Sequence, residues 1–417
     1  MGWWAAGALA LLLAASACGQ ARLATPPEPE FTTGQRAAPT VLVAPTTVPW
    51  DGGEPDLSAI EPDVDPDAVD VDQMVVVDDA GNAAPNLSGW AAFDTAIERR
   101  LVPANASASV AVMVDGQVVH RAAFGERVAG SGDPAEIGDR FRIASISKTI
   151  TAIVTLRLVE QGVLALDEPV GQVLIDHLGV TDFDPDVPTI TVRGLLSHRA
   201  GFPKHYGTFF GKGATSCADA ARQGLTGSVS PGGGYHYSNM GYCVLGVLLE
   251  AVTGKTYERI VYEELLSPLA ITGMRMASTY DLGPDEVSHH PTPDRNFMES
   301  LGAAGAWNAT PVDLVTILNS IDPATPGWKA LSPEMMVAMR EHGVPGAPAG
   351  GYGLGVINYP GGAYGHTGTI ENAHSMTVIQ PDGVTWALTV SGDYPNETEA
   401  LAGIVRAAFA TAFPGRA

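Results

Sequence analysis

The sequence predicts an α+β fold in which helices cover a β-sheet, and three observations lead to this prediction. Apolar runs flank the turn residues Asp115-Gly116 near the start of the folded part, and similar runs flank the turn at 381–383 near its end. Between them, residues 145–161 are apolar on nearly every side, which is typical of a buried helix. Strands at both ends with helices between them indicate an α/β sandwich.

The first elements are a helix and a β-hairpin. Trp90, Phe93 and Ile97 recur at the spacing of one helical face. Apolar runs follow at 107–114 and 117–124, and the Asp-Gly pair between them is a strong signal for a two-residue hairpin turn. The sequence therefore predicts a helix followed by two antiparallel strands.

The later elements are the buried helix, a second hairpin and a terminal helix. Gly162 ends the buried helix, because glycine readily adopts the left-handed conformation that follows a helix C-terminus. The second hairpin has strands at 374–380 and 384–390, and residues 397–413 are predicted to form a helix that closes the chain. No internal repeat of about 20 to 50 residues is evident, so a repeat architecture is not expected.

The composition limits the function classes. The chain has 417 residues, 23 Lys and Arg against 46 Asp and Glu, and a formal net charge of −23. So acidic a chain repels phosphate backbones, and we expect no nucleic-acid partner. With 45% hydrophobic residues there is ample material for a core, and the length suits one large domain with appendages or two to three domains.

The N-terminus is interpreted as an export signal. The apolar run at 3–17 is shorter than the about 20 residues that span a bilayer, so residues 1–17 are predicted to be a signal peptide. The small residues before Cys18 resemble a bacterial lipobox, which would attach a lipid to Cys18 and hold the protein at the outer face of the cell membrane. Membrane contact is then expected only through this anchor. An ordinary secretory signal with an incidental cysteine is the alternative, since no Lys or Arg precedes the apolar run.

Residues 18–87 are predicted to be a flexible linker. The segment is rich in Pro and Thr and then in Asp, so it cannot bury enough apolar surface to offset its ordering entropy. The folded domain is therefore expected over 88–417. Within it, Cys217 and Cys243 could pair as a disulfide in an exported protein or remain two buried thiols, and the sequence leaves both open.

Ser145 and Lys148 form an S-x-x-K motif at the start of the buried helix. A spacing of three places the hydroxyl and the ammonium on one helical face. The N–H of Ser145 would lie at the positive end of the helix, where a developing oxyanion is stabilised. A lysine within an apolar helix is expected to have a lowered pKa unless it is paired, and it can then take a proton from a neighbouring hydroxyl. A capping serine followed by a lysine that reaches the surface is the alternative.

Two further segments carry groups that suit catalysis. Tyr237 and Asn239 follow a glycine-rich loop, and a tyrosine beside a cationic lysine can shuttle protons while an asparagine can hold a substrate amide. In the segment 364–369, small residues let a substrate backbone approach an edge strand, and His366 with two threonine hydroxyls supplies polar contacts. Each segment alone is explained as well by an ordinary loop. Together, in the order S-x-x-K, Y-x-N and H-x-G, the three indicate an active site.

This order of motifs resembles that of the penicillin-recognising serine hydrolases. That superfamily includes class C β-lactamases, D-alanyl-D-alanine carboxypeptidases, D-amino acid amidases and β-lactamase-like esterases. The resemblance extends from about residue 88 to the C-terminus, includes the segment 191–198, and is closest in its H-T-G third motif to the D,D-carboxypeptidase branch. It implies a β-lactamase/transpeptidase-like fold, with an antiparallel sheet flanked by helices and an all-helical region that carries the S-x-x-K helix.

The resemblance also implies a role for each motif residue. Ser145 would be the acylated nucleophile, Lys148 its partner in proton transfer, and Tyr237 the general base or acid. Substrate would contact the remaining motif residues, which are Asn239, His366, Thr367, Gly368 and Thr369. The backbone N–H groups of Ser145 and Thr369 would form the oxyanion hole. The resemblance implies no metal or cofactor.

The expected function is hydrolysis of a cell-wall-type D-amino-acid peptide through an acyl-enzyme. Hydrolysis of an ester or β-lactam is the alternative, and peptide binding without catalysis is the alternative from another class. One feature disagrees with carboxypeptidase activity, because no Lys or Arg lies between Arg340 and Arg406 and Glu371 adds negative charge. A partner for a substrate carboxylate would have to come from elsewhere, and the candidates are Arg142, Arg193, Arg199 and Lys204.

Other catalytic motifs are missing from the sequence. It contains no G-x-S-x-G, no H-E-x-x-H and no G-x-x-x-x-G-K-[ST]. We therefore expect neither an α/β-hydrolase elbow, nor a zinc site, nor a nucleotide-binding loop.

Overall fold

The computed structural model describes most of the chain from Leu87 onward. The described residues are 87–104, 106–203, 206–211, 213–288, 297–341, 351–392, 395 and 398–414. The predicted signal peptide of 1–17, Cys18 and the linker of 18–87 lie outside them, apart from Leu87, which begins the first helix. Among the described helices, none has the length and apolar character needed to cross a membrane.

The described residues form ten strands and twelve helices. In chain order the strands are β1 (Ala106–Val114), β2 (Gln117–Phe124), β3 (Phe141–Arg142), β4 (Arg275–Met276), β5 (Trp307–Ala309), β6 (Gly351–Tyr352), β7 (Ile357–Asn358), β8 (Tyr364–Ile370), β9 (Ala373–Ile379) and β10 (Val384–Gly392). The helices are α1 (Leu87–Leu101), α2 (Ile146–Glu160), α3 (Gly171–Leu178), α4 (Val192–Leu196), α5 (Tyr206–Phe210), α6 (Cys217–Thr226), α7 (Asn239–Thr253), α8 (Tyr257–Val261), α9 (Phe297–Leu301), α10 (Pro311–Asn319), α11 (Pro333–Arg340) and α12 (Glu399–Ala412).

The main sheet is antiparallel and, within the described part of the chain, has seven strands in the order β2-β1-β10-β9-β8-β7-β6. Both predicted hairpins are present in it. Asp115 and Gly116 have φ values of 48° and 76°, as the tight turn between β1 and β2 requires. Gly383, with φ 86°, lies in the turn between β9 and β10. The α+β prediction is therefore confirmed, and the pairing of β1 with β10 joins the two hairpins in one sheet.

Helices cover both faces of the main sheet. On β1, Val110 and Val112 face a core shared with α1 and α12, whereas Ala111 and Met113 face the larger helical core. This alternation follows from the two-residue period of a strand. The predicted apolar face of α1 is buried, and its three residues Trp90, Phe93 and Ile97 belong to the α1–α12 core. Strand β1 is therefore buried on both sides, which explains its nearly continuous apolar sequence.

Helix α2 lies inside the larger core. Twelve of its 15 residues are buried, which confirms the prediction of a helix that is apolar on nearly all sides. The chain turns away at Gly162, whose φ is 73°. A separate three-stranded sheet has the order β3-β5-β4, and its strand β3 ends at Arg142, shortly before the first turn of the helix. This arrangement holds Ser145 at a fixed position between β3 and α2.

Candidate active site

Ser145 lies immediately before the first residue of α2. The preceding residue, Ala144, has φ 46°, a left-handed conformation that is uncommon outside glycine. Backbone strain of this kind persists only where the surrounding structure enforces it, and it is frequent at active sites. The Ser145 side chain makes no capping hydrogen bond to the helix. Its hydroxyl is instead held by Lys148.

Lys148 joins three parts of the fold through its ammonium group. The side chain is completely buried. Its Nζ donates to Ser145 Oγ at 2.9 Å, to Asn239 Oδ1 at 2.6 Å and to the carbonyl oxygen of Ala304 at 2.9 Å. Three acceptors match the three N–H donors of an ammonium, so its buried charge is compensated by hydrogen bonds. The structure therefore excludes the alternative in which this lysine reaches the surface.

Tyr237 and Asn239 lie on either side of the start of α7. Tyr237 is 5% exposed, and the centre of its ring is 4.8 Å from Lys148 Nζ, within the range of a cation–π contact. Asn239, the first residue of α7, is buried and accepts the Lys148 bond through its side-chain oxygen. The first two predicted motifs therefore meet at one ammonium group.

The third motif is a strand, β8, that runs beside the nucleophile. A Cβ atom on Gly368 would lie 2.3 Å from the carbonyl oxygen of Ile143 and 3.0 Å from the backbone nitrogen of Ser145, so only glycine fits there. On its other edge, β8 pairs with β7 only at Tyr364 and Gly365. Beyond Gly365 no described strand pairs with that edge.

His366 is completely buried and electrically neutral. Its Nδ1 lies 2.6 Å from the carbonyl oxygen of Thr367, which can only accept, so Nδ1 carries the proton. Its Nε2 then accepts from the hydroxyl of Tyr352 at 3.0 Å. Burial lowers the pKa of His366 to about 3, and the charge of Lys148 lowers it further while the bond to Thr367 opposes the shift. The third motif therefore contributes no positive charge at neutral pH.

The threonine hydroxyls of the third motif were expected to contact substrate, and Thr369 differs from that expectation. Thr369 Oγ1 contacts Thr398 at the start of α12 and lies 3.3 Å from His374 Nδ1. Thr367 pairs across the sheet with Met376, which belongs to the α1–α12 core. Paired residues in a sheet share a face, so Thr367 and Thr369 project on the face opposite α2. On the side of Ser145, Thr367 and Thr369 can therefore contact a substrate only through their backbone groups.

Of the four candidate cations, the structure describes Arg142, Arg193 and Arg199. Arg142 is buried and bonded to Glu286 at 3.2 Å and to the carbonyl oxygen of Thr279. Arg193 forms two hydrogen bonds to the carboxylate of Asp167. The side chain of Arg199 is half-buried and forms no hydrogen bond or ion pair with a described residue. Lys204 lies outside the described residues. Arg199 is therefore the one described candidate whose charge is not already engaged.

Cys217 and Cys243 are joined by a disulfide, which answers the question that the sequence left open. The bond links α6 to α7, the helix that begins with Asn239. A Cβ on Gly302 would lie 2.5 Å from the Cβ of Cys217. The disulfide therefore packs against the short turn Gly302–Ala304, whose last carbonyl binds Lys148.

Residues that the motif search did not single out complete the site. His198 and Tyr352 pack around Tyr237, with ring centres at 4.2 Å and 6.0 Å from it. The Ala304 carbonyl, which binds Lys148, is a backbone group that no residue type in the sequence marks. Within the described residues, no cluster of three or more His, Cys, Asp or Glu could hold a metal ion. The site is thus built from a serine, a lysine, an amide and a group of buried aromatic rings.

Comparison with known proteins identifies the family. The family model described as Beta-lactamase matches residues 93–411. The chain belongs to this family. The resemblance that the motifs predicted is confirmed, and the chain is a serine hydrolase of the β-lactamase fold.

Individual relatives agree with the family assignment. The chain is 28% identical over 332 residues to penicillin-binding protein 4 from Amycolatopsis lactamdurans, covering 72% of this chain and 84% of that protein. It is 31% identical over 233 residues to esterase EstB from Burkholderia gladioli, covering 50% and 55%. The crystal structure of SurE with D-Leu is similar at 26% identity, with a TM-score of 0.63 and coverage of 81% and 77%.

The buried histidines predict a loss of stability in mild acid. Burial lowers the pKa of His366 to about 3 and that of His374 to about 4, whereas a histidine in the unfolded chain titrates at about pH 6.5. The unfolded state therefore binds protons first, and the free energy of unfolding falls as the pH decreases below about 6.5. Between pH 7 and pH 5 we expect His366 alone to account for about 2 kcal/mol.

Urea unfolding of the wild type and of His366→Gln at both pH values measures this contribution. The carboxylates are common to both proteins, so their effect cancels in the difference. The pH dependence of the variant should be smaller by about 2 kcal/mol. An unchanged dependence would show that His366 is not a buried neutral group.

Proposed function

We propose that the chain hydrolyses cell-wall-type D-amino-acid peptides through an acyl-enzyme on Ser145. The observation that carries this proposal is the Lys148 ammonium, which binds Ser145 Oγ, Asn239 Oδ1 and the Ala304 carbonyl together. A positive charge fixed beside the nucleophile and 4.8 Å from the Tyr237 ring favours a phenolate there. Such a phenolate is a suitable general base for the serine proton.

The proposed reaction has two halves. Ser145 Oγ attacks the substrate carbonyl carbon while its proton passes to the Tyr237 oxygen, and the backbone N–H groups of Ser145 and Thr369 bind the oxyanion. The leaving amine takes the proton from Tyr237 as the scissile bond breaks, which leaves an ester on Ser145. Water then attacks this ester, giving one proton to Tyr237 that is returned to Ser145 when the acid departs. Lys148 keeps its three protons throughout.

The charge of the site favours substrates without a free carboxylate next to the third motif. His366 is neutral, and Arg142 is already bonded to Glu286. Burial lowers the pKa of the Arg142 guanidinium, and the negative charges of Glu286 and Glu371 oppose that shift, so the surroundings of Arg142 include two acidic side chains. A carboxylate placed there without a partner would be destabilised. Peptides whose next residue is amidated or continues the chain are therefore the proposed substrates.

Ester hydrolysis is the second candidate. A third motif without positive charge suits an uncharged ester, and esterase EstB is a relative at 31% identity over half of this chain. The penicillin-binding protein and the D-Leu complex of SurE support the D-amino-acid substrate instead. Peptide binding without catalysis has less support, because a binding protein has no need of the Ser145–Lys148 pair.

One set of substrates tests these alternatives. We expect kcat/KM for a D-alanyl-D-alanine peptide amide to equal or exceed that for the matching free acid, and Glu371→Gln to shift the preference toward the acid by up to about tenfold. A hundredfold preference of the wild type for the acid would contradict the charge argument, and its loss in Arg199→Gln would identify the responsible cation. Faster turnover of a short-chain ester than of either peptide would favour the second candidate. No adduct by intact-mass spectrometry with peptide, penicillin or ester would indicate the binding protein.

We also propose that the protein is exported and anchored through Cys18. The Cys217–Cys243 disulfide supports export, because structural disulfides persist in oxidising compartments. Mass spectrometry of the membrane fraction would detect a lipid on Cys18, and a soluble secreted form that retains an unmodified Cys18 would contradict the anchor.

A further inference from the structure

His198 occupies an unusual backbone position beside the Tyr237 motif. It follows α4 and has φ 58°, a left-handed conformation that is uncommon outside glycine, although asparagine, aspartate and histidine adopt it more often than other residues. Its carbonyl oxygen accepts the backbone N–H of His236 at 2.9 Å. A histidine here is strained relative to glycine, so its side chain must provide an interaction that offsets the backbone conformation.

That interaction is a hydrogen bond to the backbone of the second motif. His198 Nδ1 accepts the N–H of Ser238 at 3.1 Å, and the imidazole is 3% exposed. Because Nδ1 accepts, the proton of the neutral ring lies on Nε2, which has no hydrogen-bond partner among the described residues. Burial first, and then Lys148 and His366, hold the pKa of His198 well below its ordinary value. This shift favours the neutral ring, in which Nδ1 can accept the Ser238 N–H.

The imidazole ring also fixes the tyrosine itself. Its centre lies 4.2 Å from the ring of Tyr237 and 4.6 Å from that of Tyr352, whose hydroxyl binds His366. His198 thus contacts Tyr237 and Ser238 directly, and the next residue, Asn239, binds Lys148. The His198 side chain therefore holds the short segment that carries both Tyr237, the proposed general base, and Asn239, which binds Lys148.

We infer that His198 is a positioning residue, whose Nδ1 fixes the Tyr237-Ser238-Asn239 segment against Lys148 by accepting the Ser238 N–H. This inference rests on the roles proposed above for Ser145 and Tyr237. It predicts that the acceptor, rather than the imidazole ring as a space-filling group, sets the rate of the chemical steps.

Two variants separate these contributions. His198→Asn keeps an oxygen acceptor the same number of bonds from Cα as Nδ1, and asparagine tolerates φ above zero. His198→Phe keeps a ring but leaves the buried Ser238 N–H without an acceptor. His177→Asn, on the exposed face of α3, is the matched control. If His198→Phe does not fold, His198→Gln is used in its place. The side-chain oxygen of glutamine lies one bond further from Cα than Nδ1 of histidine does.

The measurement is kcat for p-nitrophenyl acetate per active site, with active sites counted as fluorophosphonate adducts by intact-mass spectrometry. We expect His198→Phe to lose about tenfold to hundredfold in kcat with KM changed less than about threefold, and His198→Asn to stay within about threefold of the wild type. Counting active sites removes any contribution from unfolded protein.

Two results would overturn the inference. An unchanged kcat per active site in His198→Phe would show that His198 contributes only to stability. Equal losses of kcat in His198→Phe and His198→Asn would show that the acceptor is not the relevant feature. Activity retained in Ser145→Ala would instead overturn the proposed function. The two failures are therefore distinguishable.

Discussion

Replacing Ser145 with alanine is expected to remove every covalent adduct and to lower the hydrolysis rate by about a thousandfold to a millionfold. The serine hydroxyl is the group that Lys148 holds at the start of α2, 2.9 Å from Nζ. Since Ser145 makes no capping hydrogen bond to the helix, the free energy of unfolding should change by less than about 1 kcal/mol. Intact-mass spectrometry with a fluorophosphonate, together with ester and peptide hydrolysis, measures both effects.

Ser147→Ala is the matched control for this prediction. Ser147 is also buried on α2, but its hydroxyl accepts the backbone N–H of Trp307 at 3.2 Å. Its loss should lower the free energy of unfolding by about 1–3 kcal/mol and leave the adduct intact. An adduct that persists in Ser145→Ala and disappears in Ser147→Ala would show that Ser147, and not Ser145, is the nucleophile.

The elements with strong local signals were predictable from the sequence. The β1–β2 turn needs two residues with positive φ, and Asp-Gly is a pair that adopts them readily. Helix α2 has apolar residues on every side, a pattern that is stable only when the helix is surrounded by protein. Ser145 and Lys148 were found by the same logic, because a spacing of three on a helix fixes their proximity.

Features that depend on distant parts of the chain were not predictable. The close approach of β8 to the nucleophile is one of them, because Gly368 lies against the carbonyl of Ile143 and the backbone nitrogen of Ser145, which are far away in the chain. The Ala304 carbonyl that binds Lys148 is a backbone group, which no sequence pattern marks. The tautomer of His366 follows from its contacts with Thr367 and Tyr352. Long-range contacts therefore determine the electrostatics of a site whose residues local patterns can locate.

Lys148→Met is expected to cause the second largest loss of activity, about a hundredfold to ten-thousandfold in kcat. Methionine fills a similar volume but donates no hydrogen bond, so Ser145 Oγ loses its donor and Tyr237, the proposed general base, loses the adjacent positive charge. Two buried acceptors, Asn239 Oδ1 and the Ala304 carbonyl, are left without this donor. Each unsatisfied buried group costs about 1–3 kcal/mol, so the free energy of unfolding should fall as well.

Lys255→Met separates the effect of the site from that of removing a lysine. Lys255 is half-exposed and pairs with Glu263 on the surface, a kind of contact worth about 1 kcal/mol or less. Lys255→Met should therefore leave both kcat and the covalent adduct on Ser145 unchanged. The decisive comparison is kcat per active site, because it excludes molecules of Lys148→Met that fail to fold. If Lys148→Met were acylated as fast as the wild type, the ammonium would serve only the fold, and Tyr237 would have to take the serine proton without help from a neighbouring charge.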